Sequence, residues 1–146
     1  MAGYDTGRSE YVMTMRLVAA TAVLVSAAVH LYMWFDGARD DDFLGPAFML
    51  NAVSGAVIAG LLLAWRHWMP AFLALGFGLA TLGAFVLATT VGLFGVTESW
   101  EGWAVWTAAA SELVAILAGA VLLVEQNPLR SGGGLQHHIR FRPVHH

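Results

Sequence analysis

Short polar segments separate four long apolar runs in this chain, at residues 17–35, 43–65, 70–95 and 103–124. Each run is about 19 to 26 residues, and about 20 helical residues cross a hydrocarbon core of about 30 Å. The pattern predicts four membrane-spanning helices. Short connections force sequential neighbours to run in opposite directions, so the expected fold is an all-α, antiparallel, up-down-up-down four-helix transmembrane bundle. Residues 1–12 read as a short polar lead, 13–126 as the transmembrane domain, and 127–146 as a flexible basic, histidine-containing tail. The connections carry turn chemistry: an acidic stretch from Asp36 to Asp42, Gly45-Pro46 at the start of the second run, and a second outer turn at 97–102. Trp65-Arg66-His67-Trp68 forms an inner-interface belt, and Pro70 restarts the chain as the third span.

Composition sharpens the picture. Hydrophobic residues make up 58% of the chain and charged residues 12%, where a soluble domain carries about 25% charged residues. Mean hydropathy is +0.67. With no cysteine, disulfides, iron–sulfur clusters and thiolate zinc sites are excluded. A net charge of −3 gives nucleic-acid binding no basis, and no phosphate loop, Ser/His/Asp arrangement or dinucleotide fingerprint occurs.

The seven basic residues are all arginine. Arg8, Arg16, Arg66, Arg130, Arg140 and Arg142 flank the runs on one side, and only Arg39 lies on the other. The positive-inside rule therefore predicts cytoplasmic N and C termini in a plasma-membrane protein, with acidic outer loops holding Asp36, Asp40, Asp41, Asp42, Glu98 and Glu101. Reading the first run as a cleaved signal peptide, cut near Ser26-Ala27-Ala28, conflicts with its length and with Asp5 and Glu10 in its lead.

Small residues predict which helix faces meet, because close backbone approach drives packing in lipid. The stripes are Ala19, Ala22, Ser26; Ala47, Gly55, Ala59; Gly76, Ala80, Ala84, Ala88; and Ala108, Ala115, Gly119. His30, Asn51 and Glu112 fall on these stripes and should point into the bundle. They lie roughly 8 to 14 Å inside the outer ends of their runs. Thr89 and Thr90 share the depth of His30, and Tyr32 belongs to an aromatic cluster at the outer interface. One polar pocket in the outer half, open toward the acidic loops, is the simplest arrangement. A carboxylate at the depth of Glu112 costs about 2.5–3.5 kcal/mol on insertion scales and needs a partner, a proton or water.

Two readings of the trio stand side by side. In one it is interhelical glue, with bonds averaging about 0.6 kcal/mol. In the other it binds a proton, a divalent metal ion held by His30 and Glu112, or the headgroup of a quinone or another small lipophile. Haem fits poorly, since only His30 lies in a span. The methionines are packing residues, His67 is an interface residue, and the paired histidines His137-His138 and His145-His146 belong to a tail near anionic headgroups.

Several segments resemble a group of small four-span membrane proteins common in actinobacteria: His30-Leu31-Tyr32-Met33-Trp34, Leu44-Gly45-Pro46-Ala47-Phe48-Met49-Leu50-Asn51, Gly92-Leu93-Phe94-Gly95-Val96-Thr97-Glu98, and Glu112. Many members carry glutamine where this chain has Asn51. The group is distantly similar to the DoxX-like four-helix membrane proteins, and that likeness implies an association with quinone-linked redox complexes. It assigns no catalytic residue. The sequence thus points to a binding or accessory membrane subunit without independent catalysis. The alternatives are a quinone-linked oxidoreductase component and a purely structural assembly subunit, working with the lipid bilayer and a membrane-complex partner or a second copy of itself.

Overall fold

A computed structural model describes residues 2–93 and 97–126, with four long helices and no strand among them. They are α1 (Ala2–Phe35), α2 (Leu44–Ala64), α3 (Trp68–Thr90) and α4 (Trp103–Glu125), with a short 3₁₀ turn at Ala38–Asp40. Each is long and apolar enough to cross a membrane, and by that measure the chain is a multi-pass membrane protein.

Helix boundaries differ from the apolar runs chiefly in α1 and α3. Helix α1 continues back through the polar lead to Ala2. An exposed polar helix needs only intrahelical hydrogen bonds, so hydropathy marks where α1 leaves the apolar layer and not where it starts. Helix α3 stops at Thr90, not at 95, because Gly92 takes φ +77°, a left-handed conformation that ends a helix. At its other end α3 begins at Trp68, two residues before Pro70, with the His67 side chain accepting from the Met69 N–H at 3.2 Å. Asp41 performs the same service for α2: its carboxylate accepts from the Phe43 and Leu44 N–H groups at 2.8 and 2.7 Å.

Packing is closest along α1 against α2 and α4, and along α3 against α4; α2 and α3 touch far less. The intimate contacts are made at glycine. A Cβ on Gly55 would lie 2.8 Å from Ala27 Cβ, and one on Gly119 would lie 2.9 Å from the Leu75 backbone nitrogen. Here the small-residue stripes of α1, α2 and α4 place the faces correctly: Ala19, Ala22, Ser26, Gly55, Ala59, Ala108, Ala115 and Gly119 are all buried, and Ala47 is half-buried. The stripe on α3 does not. Gly76 and Ala80 are exposed, Ala84 is half-buried and Ala88 alone of the stripe is buried, and the face that packs on α4 carries Ala71, Ala74 and Gly78 instead. Helix α3 has two small-residue faces, and composition cannot say which one meets a helix.

Candidate functional site

The relation of α2 to α3 creates the main feature of the molecule, a cavity of about 560 Å³ bordered by all four helices. Its walls on α2 run from Leu44 to Ile58 and on α3 from Phe72 to Ala88, which makes it roughly 21 to 24 Å long at the helical rise. The displaced α3 stripe, Gly76, Ala80, Ala84 and Ala88, forms part of its lining. Apolar side chains dominate the wall; the polar exceptions are His30, Asn51, Ser54, Thr81, Glu98 and Glu112. Leu50 and Phe72 border it and also face outward, at 70% and 52% exposure.

All three intramembrane polar residues expected from the sequence are buried, with Glu112 2% exposed, His30 6% and Asn51 8%. They do not form one hydrogen-bonded trio. His30 and Glu112 make one cluster with Ser26. The Ser26 hydroxyl donates to Glu112 Oε1 at 3.0 Å, and His30 Nδ1 donates to the Ser26 carbonyl at 2.8 Å. A carbonyl only accepts, so that bond puts a proton on Nδ1 and leaves Nε2 to face Glu112 Oε1 at 3.9 Å. This separation is too long for a direct hydrogen bond, and a small polar group can bridge it. The His30 ring is held edge-on against Phe48, with centroids 5.1 Å apart.

Asn51 belongs to a second cluster. Its Nδ2 donates to Thr81 Oγ1 at 2.9 Å, while the Thr81 hydroxyl donates to the Phe77 carbonyl at 2.9 Å. Because that hydroxyl proton is spent on Phe77, Asn51 must present its NH₂ to Thr81. Its Oδ1 is then left buried without a donor. Buried side-chain oxygens in this condition are uncommon, and each asks for an explanation such as a bound molecule.

The remaining candidates lie apart from both clusters. Thr89 and Thr90 turn their hydroxyls back onto the Val86 carbonyl, at 3.0 and 2.7 Å. Tyr32 is exposed at the rim, its ring 5.1 Å from that of Trp103. Sequence reasoning did not single out Thr81, or Ser26 as a partner of Glu112. Thr81 lies about 14 Å from the end of α3, near the depth of Asn51, and that match was a usable signal. For metal binding, no group of three His, Asp or Glu side chains converges among the described residues. The tail histidines, Arg130, Arg140, Arg142 and residues 94–96 of the Gly-Leu-Phe-Gly segment lie outside the described residues.

Outside the spans, two carboxyls near the cavity's loop end are shifted in opposite directions from their ordinary values. The two N–H groups on Asp41 hold it below the ordinary aspartate range. Burial, and then the charge of Asp41, push Glu98 above the ordinary glutamate range.

No protein-family model, curated protein or solved structure matches the chain.

Proposed function

We propose that this protein is an accessory membrane subunit that holds a small lipophile in the cleft between α2 and α3. The single observation that carries this reading is the largely apolar cavity whose lining includes Asn51, a residue whose buried Oδ1 has no donor. Volume agrees: about 560 Å³ falls within the roughly 300–1,000 Å³ typical of ligand pockets. Length and lining suit a chain-bearing molecule, and the outward-facing Leu50 and Phe72 suit entry from the lipid side. The head of such a ligand carries a hydroxyl or N–H for Asn51 Oδ1, and a polar atom for the gap between His30 Nε2 and Glu112 Oε1.

A quinol head carries hydroxyls of the kind either position calls for, which favours as a second reading the role of a quinone-linked redox component, with His30 and Glu112 handling the proton. The DoxX-like resemblance leans the same way. In this reading the bundle runs up-down-up-down in the plasma membrane with both termini in the cytoplasm, and the loop end of the cleft faces outward.

A decyl-substituted benzoquinol, titrated into purified protein and followed by quenching of tryptophan fluorescence, tests the reading. Asn51→Leu should weaken binding about 5- to 30-fold, the cost of a lost hydrogen bond in a buried site. Saturable binding that is indifferent to Asn51→Leu, or no binding at all, would contradict it.

A further inference from the structure

A second cleft, of about 320 Å³, lies at the opposite end of the bundle between α1, the α2–α3 connection and the end of α4. Arg8, Arg16 and Arg66 all line it, with Ser9 and Gln126. Among the described residues one carboxylate pairs with these three charges: Glu125, whose Oε2 is 3.3 Å from Arg8 Nε. Counted over the described residues, two positive charges remain in surplus. Arg16 is 2% exposed, and its guanidinium is committed to carbonyls instead of to an acid. It donates to the carbonyls of Leu62 at 2.8 Å, of His67 at 3.4 Å and of Trp65. Those to Leu62 and Trp65 satisfy oxygens left over at the end of α2, and none of the three neutralises the charge. With its amide turned to suit its neighbours, Gln126 accepts from Arg16 Nη1 and donates to the His67 carbonyl, both at 3.1 Å. Arg16 is therefore fixed in place. Arg66 is exposed and has no acidic partner among the described residues.

Position along the helices says where this charge sits. From Arg16 to Phe35 is about 29 Å of helix, one hydrocarbon thickness. Arg16 thus marks the edge of the apolar layer, and Arg8 lies about 12 Å further out on the continuing helix. Between these levels lies the lipid phosphate layer. Trp65 and Trp68 flank the same connection, as aromatic residues do at headgroup depth; the Trp65 ring stacks on His67 at 5.0 Å.

We propose that this cleft binds a phosphate group, and that the phosphodiester headgroup of an anionic membrane lipid is its natural source. Arginine presents planar paired donors that match phosphate oxygens, and basic pockets between helices at the cytoplasmic face suit acidic headgroups. Arg16 supplies a held charge, and Arg8 and Arg66 close on the anion from the water side.

The test uses the full chain in nanodiscs of equimolar phosphatidylglycerol and phosphatidylcholine, read by native mass spectrometry. Exposed Arg66 can be changed without touching the fold. The expected result is retention of phosphatidylglycerol over phosphatidylcholine, reduced about fivefold by Arg66→Gln and restored by Arg66→Lys. A parallel arm measures the shift in Tm produced by inorganic phosphate in lipid-free dodecyl maltoside. If that shift depends on Arg66 while the lipids show no preference, the phosphate site stands and its source is the soluble ion. Equal retention of both lipids with no phosphate effect would overturn the proposal, and so would indifference of both readouts to Arg66→Gln.

Discussion

Ser26 and Glu112 join α1 to α4 inside the apolar layer, the serine hydroxyl donating to the carboxyl oxygen across 3.0 Å. The same serine accepts from His30 through its carbonyl, so one small residue organises the whole acid–imidazole pair. Ser26→Ala removes the donor and leaves a methyl group of similar size. It should destabilise the bundle by about 0.6 kcal/mol, the average for interhelical hydrogen bonds in membranes, and by no more than about 1.7 kcal/mol. Glu112→Gln keeps an acceptor for Ser26 and should cost less. Unfolding in mixed micelles gives both values. A Ser26→Ala protein as stable as the wild type would show that the contact contributes nothing.

Gly78 positions Glu112 from the other side. A Cβ there would come within 2.7 Å of the Glu112 carbonyl oxygen, so Gly78→Ala must push α3 away from α4. The expected loss is about 1–3 kcal/mol, as for overpacking elsewhere. Gly76 is the matched control: a Cβ added there meets nothing within 4 Å. Gly76→Ala should leave Tm unchanged or slightly raised, since alanine is the better helix former. Equal losses from the two substitutions would contradict the assignment of faces on α3.

The loop carboxyls predict two opposed pH dependences. Asp41 is held below the ordinary value, which is about 3.9. Its contribution is therefore complete above that pH and is lost as pH falls through the depressed value of the folded state. Glu98 is pushed upward, so its ionisation opposes folding. That opposition is absent below the ordinary glutamate value of about 4.3 and grows as pH rises toward the raised one. Asp41→Asn should remove the acid-side loss in a Tm-against-pH series, and Glu98→Gln should remove the fall at the higher window. Unaltered profiles in both variants would refute these assignments.

Much of this architecture is legible in the sequence, for a definite reason. Lipid offers no hydrogen bonds, so an apolar run of sufficient length has few alternatives to a helix, and four such runs declare four helices. Burial of His30, Asn51 and Glu112 is legible as well, because polar groups at that depth are costly unless they face protein. The cavity is not. It exists because α3 turns Ala71, Ala74 and Gly78 toward α4 and leaves Gly76, Ala80 and Ala84 along an open cleft, and both sets have helical spacing. Pairing is equally hidden: the sequence places Asn51 beside Glu112 in depth, but the hydrogen bond that decides its role goes to Thr81. The helical lead of α1 is invisible to hydropathy, and so is the capping role of His67.

Orientation can be checked by labelling whole cells. A cysteine at Asp41 should react with a membrane-impermeant maleimide from outside, and one at Arg66 should react only after permeabilisation. The arginine asymmetry of the loops carries this expectation. The reverse pattern would invert the topology and place the arginine cleft on the outer face.

The central claim is that the α2–α3 cleft holds a lipophile whose donor meets Asn51, and mass spectrometry of apolar molecules released from gently purified protein tests it most directly. Ala80→Trp is the comparison, because Ala80 lines the cleft and is exposed to it, so an indole there fills the space without disturbing the α3–α4 contact. The wild type should release a hydroxyl- or N–H-bearing lipophile in near-equimolar amount, and Ala80→Trp should release little of it. Equal amounts from both proteins, or none from either, would contradict the account.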